Sequence, residues 1–201
     1  MQTISVLQSD KELLCAYVAT KDIGALETVI FRYKKRIFTS ILITVKNREV
    51  AEDIFQDTFI KVIDTLNSGN YHDEGKFLPW ASRIAHNLCI DYFRRAKKMP
   101  TIANVFDEDG GEESNIFDFL NMGEDNVEQK LMKHQSQEKI KMLIYQLPLE
   151  QREVLTMRYY GDLSFKEIAQ TTQVSINTAL GRMRYALNNL RKIIQENGIE
   201  L

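Results

Sequence analysis

Across 201 residues the chain carries 26 Lys and Arg against 28 Asp and Glu, a formal net charge of -2, with 44% hydrophobic residues, nine Gly, three Pro and two Cys. This is the composition of one or two ordinary globular domains. With no apolar run of about 18 residues and no basic-then-apolar opening in MQTISVLQSDKELL, neither a membrane span nor a secretory leader is expected.

Cys15 and Cys89 have no CxxC or His companions; they predict neither a disulfide framework nor a zinc site and suggest a reducing, cytoplasmic setting. The near-zero charge is made of unequal parts: residues 1–100 carry +3, residues 101–138 carry -8 and residues 139–201 carry +3. Two basic blocks around an acidic one leave three classes open: a two-module nucleic-acid binder, an enzyme using clustered carboxylates, and a helical interaction protein.

Scarce Pro and Gly, with apolar residues recurring at three and four, predict an all-α fold. Ser9 or Asp10 caps a first helix ending near Thr20, with Leu13, Leu14, Tyr17 and Val18 on one stripe. A second runs from Ile23 to about Lys46 and presents Leu26, Ile30, Tyr33, Ile37, Ile41 and Val45. Asn47 caps a third, from Arg48 to about Leu66. On it Glu49, Asp53 and Asp57 recur at every fourth position, with Glu52 and Gln56 beside them. Such a stripe suits a metal site, a partner surface or solvated charge; without a nearby His or a second ligating helix the metal is the weakest of the three.

NSGNYHDEGK reads as a loop, and Pro79 as the first turn of a helix reaching about Lys98. Arg83, Asn87, Asp91, Arg94, Arg95 and Lys98 share one side of that helix; Ile84, Leu88, Ile90 and Phe93 point elsewhere. Tyr71, Lys76, Phe77 and Trp80 interleave rings with charge, the arrangement that holds unpaired bases beside a positive track. Trp80 equally suits a core position near a helix start. His72 and His86 read as surface residues, Cys89 as buried and inert, and Met142, Met157 and Met183 as core.

Residues 100–126, including DEDGGEESN, have no periodic face and read as a flexible acidic linker between two helical domains, 10–99 and 127–195. Helicity is expected again at 126–146 and after Pro148, up to a Gly-Asp stop. Ser164 with Glu167 forms a capping box over FKEIAQTT, and after a turn at Gln173-Val174, Ser175 caps a longer helix. Two short-turn helices, the second basic through Arg182, Arg184, Arg191 and Lys192, make a helix-turn-helix. Ile168, Ala169, Val174, Ala179, Leu180 and Met183 would fix the crossing. Ser175, Asn177 and Thr178 would then face base edges, and Arg182 and Arg184 would reach phosphates or guanines. A basic solvated helix in a bundle is the competing reading.

LPLEQREVLTMRYYGDLSFKEIAQTTQVSINTALGRMRYALNNLRKII resembles region 4 of the bacterial sigma-70 family, specifically of the extracytoplasmic function (ECF) sigma factors. AEDIFQDTFIKVI and FLPWASRIAHNLCIDYFRR resemble region 2 of the same family, and the two come in the family's order. The resemblance implies a transcription initiation factor with no catalytic residues or cofactor of its own and no small-molecule substrate. Its partners would be core RNA polymerase, promoter DNA and an anti-sigma factor. It implies that Glu49, Asp53, Gln56 and Asp57 dock on the clamp helices of the polymerase's largest subunit. Tyr71, Lys76, Phe77, Trp80, Arg83, Asn87, Arg94 and Arg95 would hold the melted minus-10 strand, captured by a loop at 69–77. Ser175, Asn177, Thr178, Arg182 and Arg184 would read minus-35 duplex. The recognition helix INTALGRMRYAL departs from many relatives, so no promoter sequence follows, and Gly181 within it is expected to admit another backbone or DNA closely. The rival is a stand-alone helix-turn-helix regulator, which would not need the first block; a carboxylate enzyme ranks third.

Overall fold

The computed structural model describes residues 8–71, 75–98 and 140–197, and among these it contains eight helices and no strand. The expected acidic linker and the start of the expected 126–146 helix lie outside them, as does His72. Helix α1 spans Asp10–Thr20, α2 Ile23–Val45, α3 Arg48–Asn67 and α4 Phe77–Lys98. Helix α5 covers 140–145, and α6 Leu149–Tyr159, α7 Phe165–Thr171 and α8 Ile176–Glu196 complete the chain.

The helix boundaries follow local chemistry. Ser9 accepts from the Glu12 N–H while Glu12 returns a bond to the Ser9 backbone, a capping box that opens α1. Asp22 and Asn47 accept from the N–H groups three residues on and open α2 and α3. Lys21 and Lys46 close the preceding helices in left-handed conformation, with φ of 57° and 60°. Helix α4 starts two residues earlier than the proline suggested: the Trp80 N–H donates to the Lys76 carbonyl at 3.2 Å, and Pro79 sits third, where no N–H partner is needed. The reason is Phe77, only 1% exposed and tied into the core.

The first four helices share one core. Leu14, Val29, Ile37, Ile41, Val62, Leu66, Phe77 and Ala81 are all 2% exposed or less. Of the other members of the α2 stripe, Leu26 and Val45 are buried too, and Ile30 and Tyr33 pack against the core half-buried. Fully burying an aliphatic side chain of this size stabilises by about 1.5–3 kcal/mol, so the stripe holds α2 as the central strut. Asp10 ties the start of α1 to α2 by accepting from Arg32 at 2.8 Å and from the Tyr33 hydroxyl.

In the second group Val154, Met157, Leu163, Ile168, Ala169 and Ala179 form the core that sets the α7–α8 crossing, with Val174 and Met183 packed against it. Leu180, expected to join it, is 43% exposed instead, because the buried face of α8 passes through Ala179 and Ala186. Met142 is likewise exposed at 61% while Leu143 and Ile144 turn inward. His86 is buried rather than at the surface, and burial pushes its imidazole down to about 4. Cys89 is buried as expected, which pushes its thiol up to about 12.

Candidate nucleic-acid interface

On α3 the apolar positions Ala51, Ile54, Thr58, Phe59 and Val62 turn to the core, leaving Glu49, Asp53, Gln56 and Asp57 exposed together on the opposite side. Glu52 is engaged by Arg48 at 2.8 Å, an i,i+4 pair that leaves the other carboxylates available. Among the described residues no group of three or more His, Cys, Asp or Glu could hold a metal ion. Nor is any helix among them long and apolar enough to cross a membrane.

The α4 surface divides in two. Tyr71 and Trp80 are half-buried with ring centroids 4.4 Å apart, forming an aromatic ledge at the helix start. Phe77 was expected to join them in holding bases; its ring is enclosed by Tyr33 and Trp80 and is not available to stack. Asn87, Arg94 and Arg95 are exposed, Arg94 with Asp91 at 3.2 Å. Arg83 and Lys76 point differently: Arg83 Nη2 lies 3.1 Å and Lys76 Nζ 3.7 Å from Glu167 Oε1 of the helix-turn-helix.

In the helix-turn-helix, Ser164 and Glu167 make the capping box of α7, and Gln173, with φ of 56°, makes the turn. Ser175 opens α8 by accepting from the Thr178 N–H at 3.0 Å, so its hydroxyl is partly committed to the cap. Asn177, Thr178 and Arg184 are exposed at or beyond this helix start, whereas Arg182 is half-buried. A Cβ at Gly181 would meet nothing within 4 Å, so the expected close approach is not made by any backbone of the described chain.

The joint between the two halves carries residues that sequence reasoning missed. Arg36 of α2 donates to the carbonyls of Tyr160 and Tyr159 at 3.0 and 3.3 Å, capping the end of α6. Arg152, at the other end of α6, reaches the Ile43 carbonyl in the last turns of α2 at 3.5 Å. These two links make α2 and α6 antiparallel, each ending on the other's arginine, a favourable place for a cation. Ile43 is fully buried with Ile144, Leu147, Leu155 and Ala186, residues of the second half. Gly161 is small because a Cβ there would sit 3.0 Å from Ser82 Cβ and 2.8 Å from the Met157 carbonyl oxygen. Residues 152–157 of α6 are buried without a break, an all-round burial that a surface helix does not show.

The model of Sigma-70 region 2 matches residues 27–99 and that of Sigma-70 region 4 matches residues 137–188, together well over half of the chain. The RNA polymerase sigma-H factor of Pseudomonas aeruginosa is 26% identical over 188 residues, 94% of this chain and 95% of that one. The ECF RNA polymerase sigma factor SigM of Bacillus subtilis is 26% identical over 79% of this chain and 90% of its own. Among solved structures, RpoE of Bartonella quintana, held with the anti-sigma factor NepR, superposes with a TM-score of 0.63 at 17% identity over 85% of this chain and 96% of that one. CnrH, held with the cytosolic domain of CnrY, gives 0.59 at 18% identity over 94% and 99%. The chain belongs to the sigma-70 family, and its relatives are ECF sigma factors.

Proposed function

We propose that this chain binds core RNA polymerase, directs it to promoters with two recognition elements and holds the opened minus-10 strand. The observation that carries the reading is the union, in one chain, of an exposed acidic helix, a basic helix with an aromatic ledge, and a capped helix-turn-helix. A regulator that only binds duplex has use for the last alone. The division is a region 2 unit at 10–99, a linker at 100–126 and a region 4 unit at 127–195.

In the roles assigned, Glu49, Asp53, Gln56 and Asp57 present the polymerase-docking face. Tyr71 and Trp80 offer ring faces to an unstacked base, whose extrusion costs a few kcal/mol that a pocket must offset. Arg83, Asn87, Arg94 and Arg95, with Lys76, follow the displaced strand's phosphates. Asn177 and Thr178 enter the major groove first, Ser175 supports them as cap, and Arg182 and Arg184 fix register on the backbone. Nucleotide addition stays with the polymerase, in the cytoplasm, and this chain contributes no catalytic group. That two structural neighbours were solved with a bound partner, one of them a named anti-sigma factor, supports an anti-sigma partner here too.

The test is initiation by purified core polymerase on a randomised promoter library. Products that require this chain and share a two-block motif support the reading. Duplex binding without polymerase association would favour the stand-alone regulator.

A further inference from the structure

Helix α8 buries one side and presents another. Ala179 and Ala186 are fully buried, and Met183, Leu190 and Ile193 pack beside them. At about 3.6 residues per turn the opposite line runs through Asn177, Gly181, Arg184 and Asn188. Ile176, Leu180 and Leu187 flank that line on one side and are 46%, 43% and 44% exposed. A lone exposed leucine is ordinary. Here two of the three aliphatic residues fall within the first two turns, the part of a recognition helix that meets base edges.

The chemistry of those two turns is one-sided. From Ser175 to Gly181 there is no Lys or Arg, and the commonest specific contact to guanine needs one. Arg182 is turned aside, half-buried, where its charge favours the ionised form of Glu153 on α6, so Arg184 is the first exposed cation of the helix. The Ser175 and Thr178 hydroxyls lie 2.8 Å apart, bound to each other and to the cap. What remains for base edges is one amide, Asn177, two aliphatic side chains, Ile176 and Leu180, and the bare backbone at Gly181, where a Cβ would meet nothing within 4 Å. An amide pairs with adenine, and the apolar group that a base pair presents in the major groove is the C5-methyl of thymine.

Resting on the promoter-binding function proposed above, we propose that Ile176 and Leu180 read the C5-methyl groups of thymines in the minus-35 duplex, beside an adenine held by Asn177, so that this element is an A·T run. The two side chains are four residues apart, about 6 Å along the axis, roughly two base-pair steps at about 3.4 Å each. Gly181, adjoining Leu180, has no side chain to hold the helix off the groove floor. Arg184 then meets a phosphate beyond the run and supplies affinity without choosing a base.

The test takes the upstream block selected from a random duplex library by the full chain, with core polymerase and without it, and replaces its thymines one at a time with deoxyuridine, which lacks only the C5-methyl. The block should be A·T-rich, and two replacements should each weaken binding about fourfold, the worth of one buried methyl-sized group. Leu180→Ala should bind thymine and uracil duplexes equally at one of those positions, and Ile176→Ala at the other. Both residues are exposed, so the variants should unfold near the wild-type temperature. A block led by G·C pairs, or equal binding of thymine and uracil throughout, would overturn the readout and leave the sigma reading standing. Discrimination that survives in both variants would overturn it as well. A chain that discriminates the two bases on duplex alone yet supports no initiation would uphold the readout and count against the sigma reading instead.

Discussion

At the scale of single residues, the surfaces are defined as much by what is occupied as by what is exposed. Asn177 stands free at the start of α8 and suits bidentate recognition of adenine; Asn177→Ala should cost about 1–3 kcal/mol on the preferred minus-35 duplex and relax specificity at one position. Arg184, two turns further along, should act on a phosphate: Arg184→Ala should weaken all duplexes alike and lower the salt slope by about one. Titrations of matched and mismatched duplexes at several salt concentrations separate the two. Gly181 has open space where a Cβ would lie, so Gly181→Ala should raise stability by about 1 kcal/mol in thermal unfolding. Phe77 shows the limit of reading rings from sequence, because an aromatic beside a loop is written the same way whether it stacks a base or anchors a core.

Among elements, the amphipathic helices were the legible part. The caps at Ser9, Asn47, Ser164 and Ser175 and the stripe of α2 follow from spacing and hydrogen-bond chemistry alone. Helix α6 was legible only as a helix. Its Arg152 and Glu153 are only 7% and 6% exposed, and only the tertiary structure shows Arg152 reaching the Ile43 carbonyl of α2. The acidic face of α3 should carry polymerase docking: Asp53→Lys should abolish association in a pull-down and leave minus-35 duplex binding unchanged. Loss of both together would contradict this division of roles.

Helix α6 also gives the fold a pH dependence. Burial pushes the Glu153 carboxyl up to about 7, with Arg182 and Arg152 opposing and Glu150 adding to the shift; the Cys89 thiol of α4 senses its charge from the other half. A carboxyl raised in the folded state favours folding while protonated. That contribution is complete below its ordinary value near 4.5 and is lost as pH rises to about 7. Stability in thermal unfolding should therefore fall across that interval, and Glu153→Gln should flatten the response. An unchanged pH profile in the Gln variant would assign the effect to another group.

For the whole molecule, the order of the two halves and their separate chemistry could be read along the chain, but their mutual packing could not. Arg36 and the Tyr159–Tyr160 carbonyls are more than a hundred residues apart, and the matching of helix ends to arginines leaves no periodic trace. The same is true of Gly161, whose smallness answers to Ser82 on another element. The resulting account is of one chain that carries both proposed DNA surfaces and uses them together with core polymerase. It is tested most directly by initiation with core polymerase on a selected promoter and on versions with about five base pairs inserted between the two blocks, roughly half a helical turn. The account predicts product that requires this chain and is lost on insertion. Product without the chain, or product indifferent to the insertion, would contradict it.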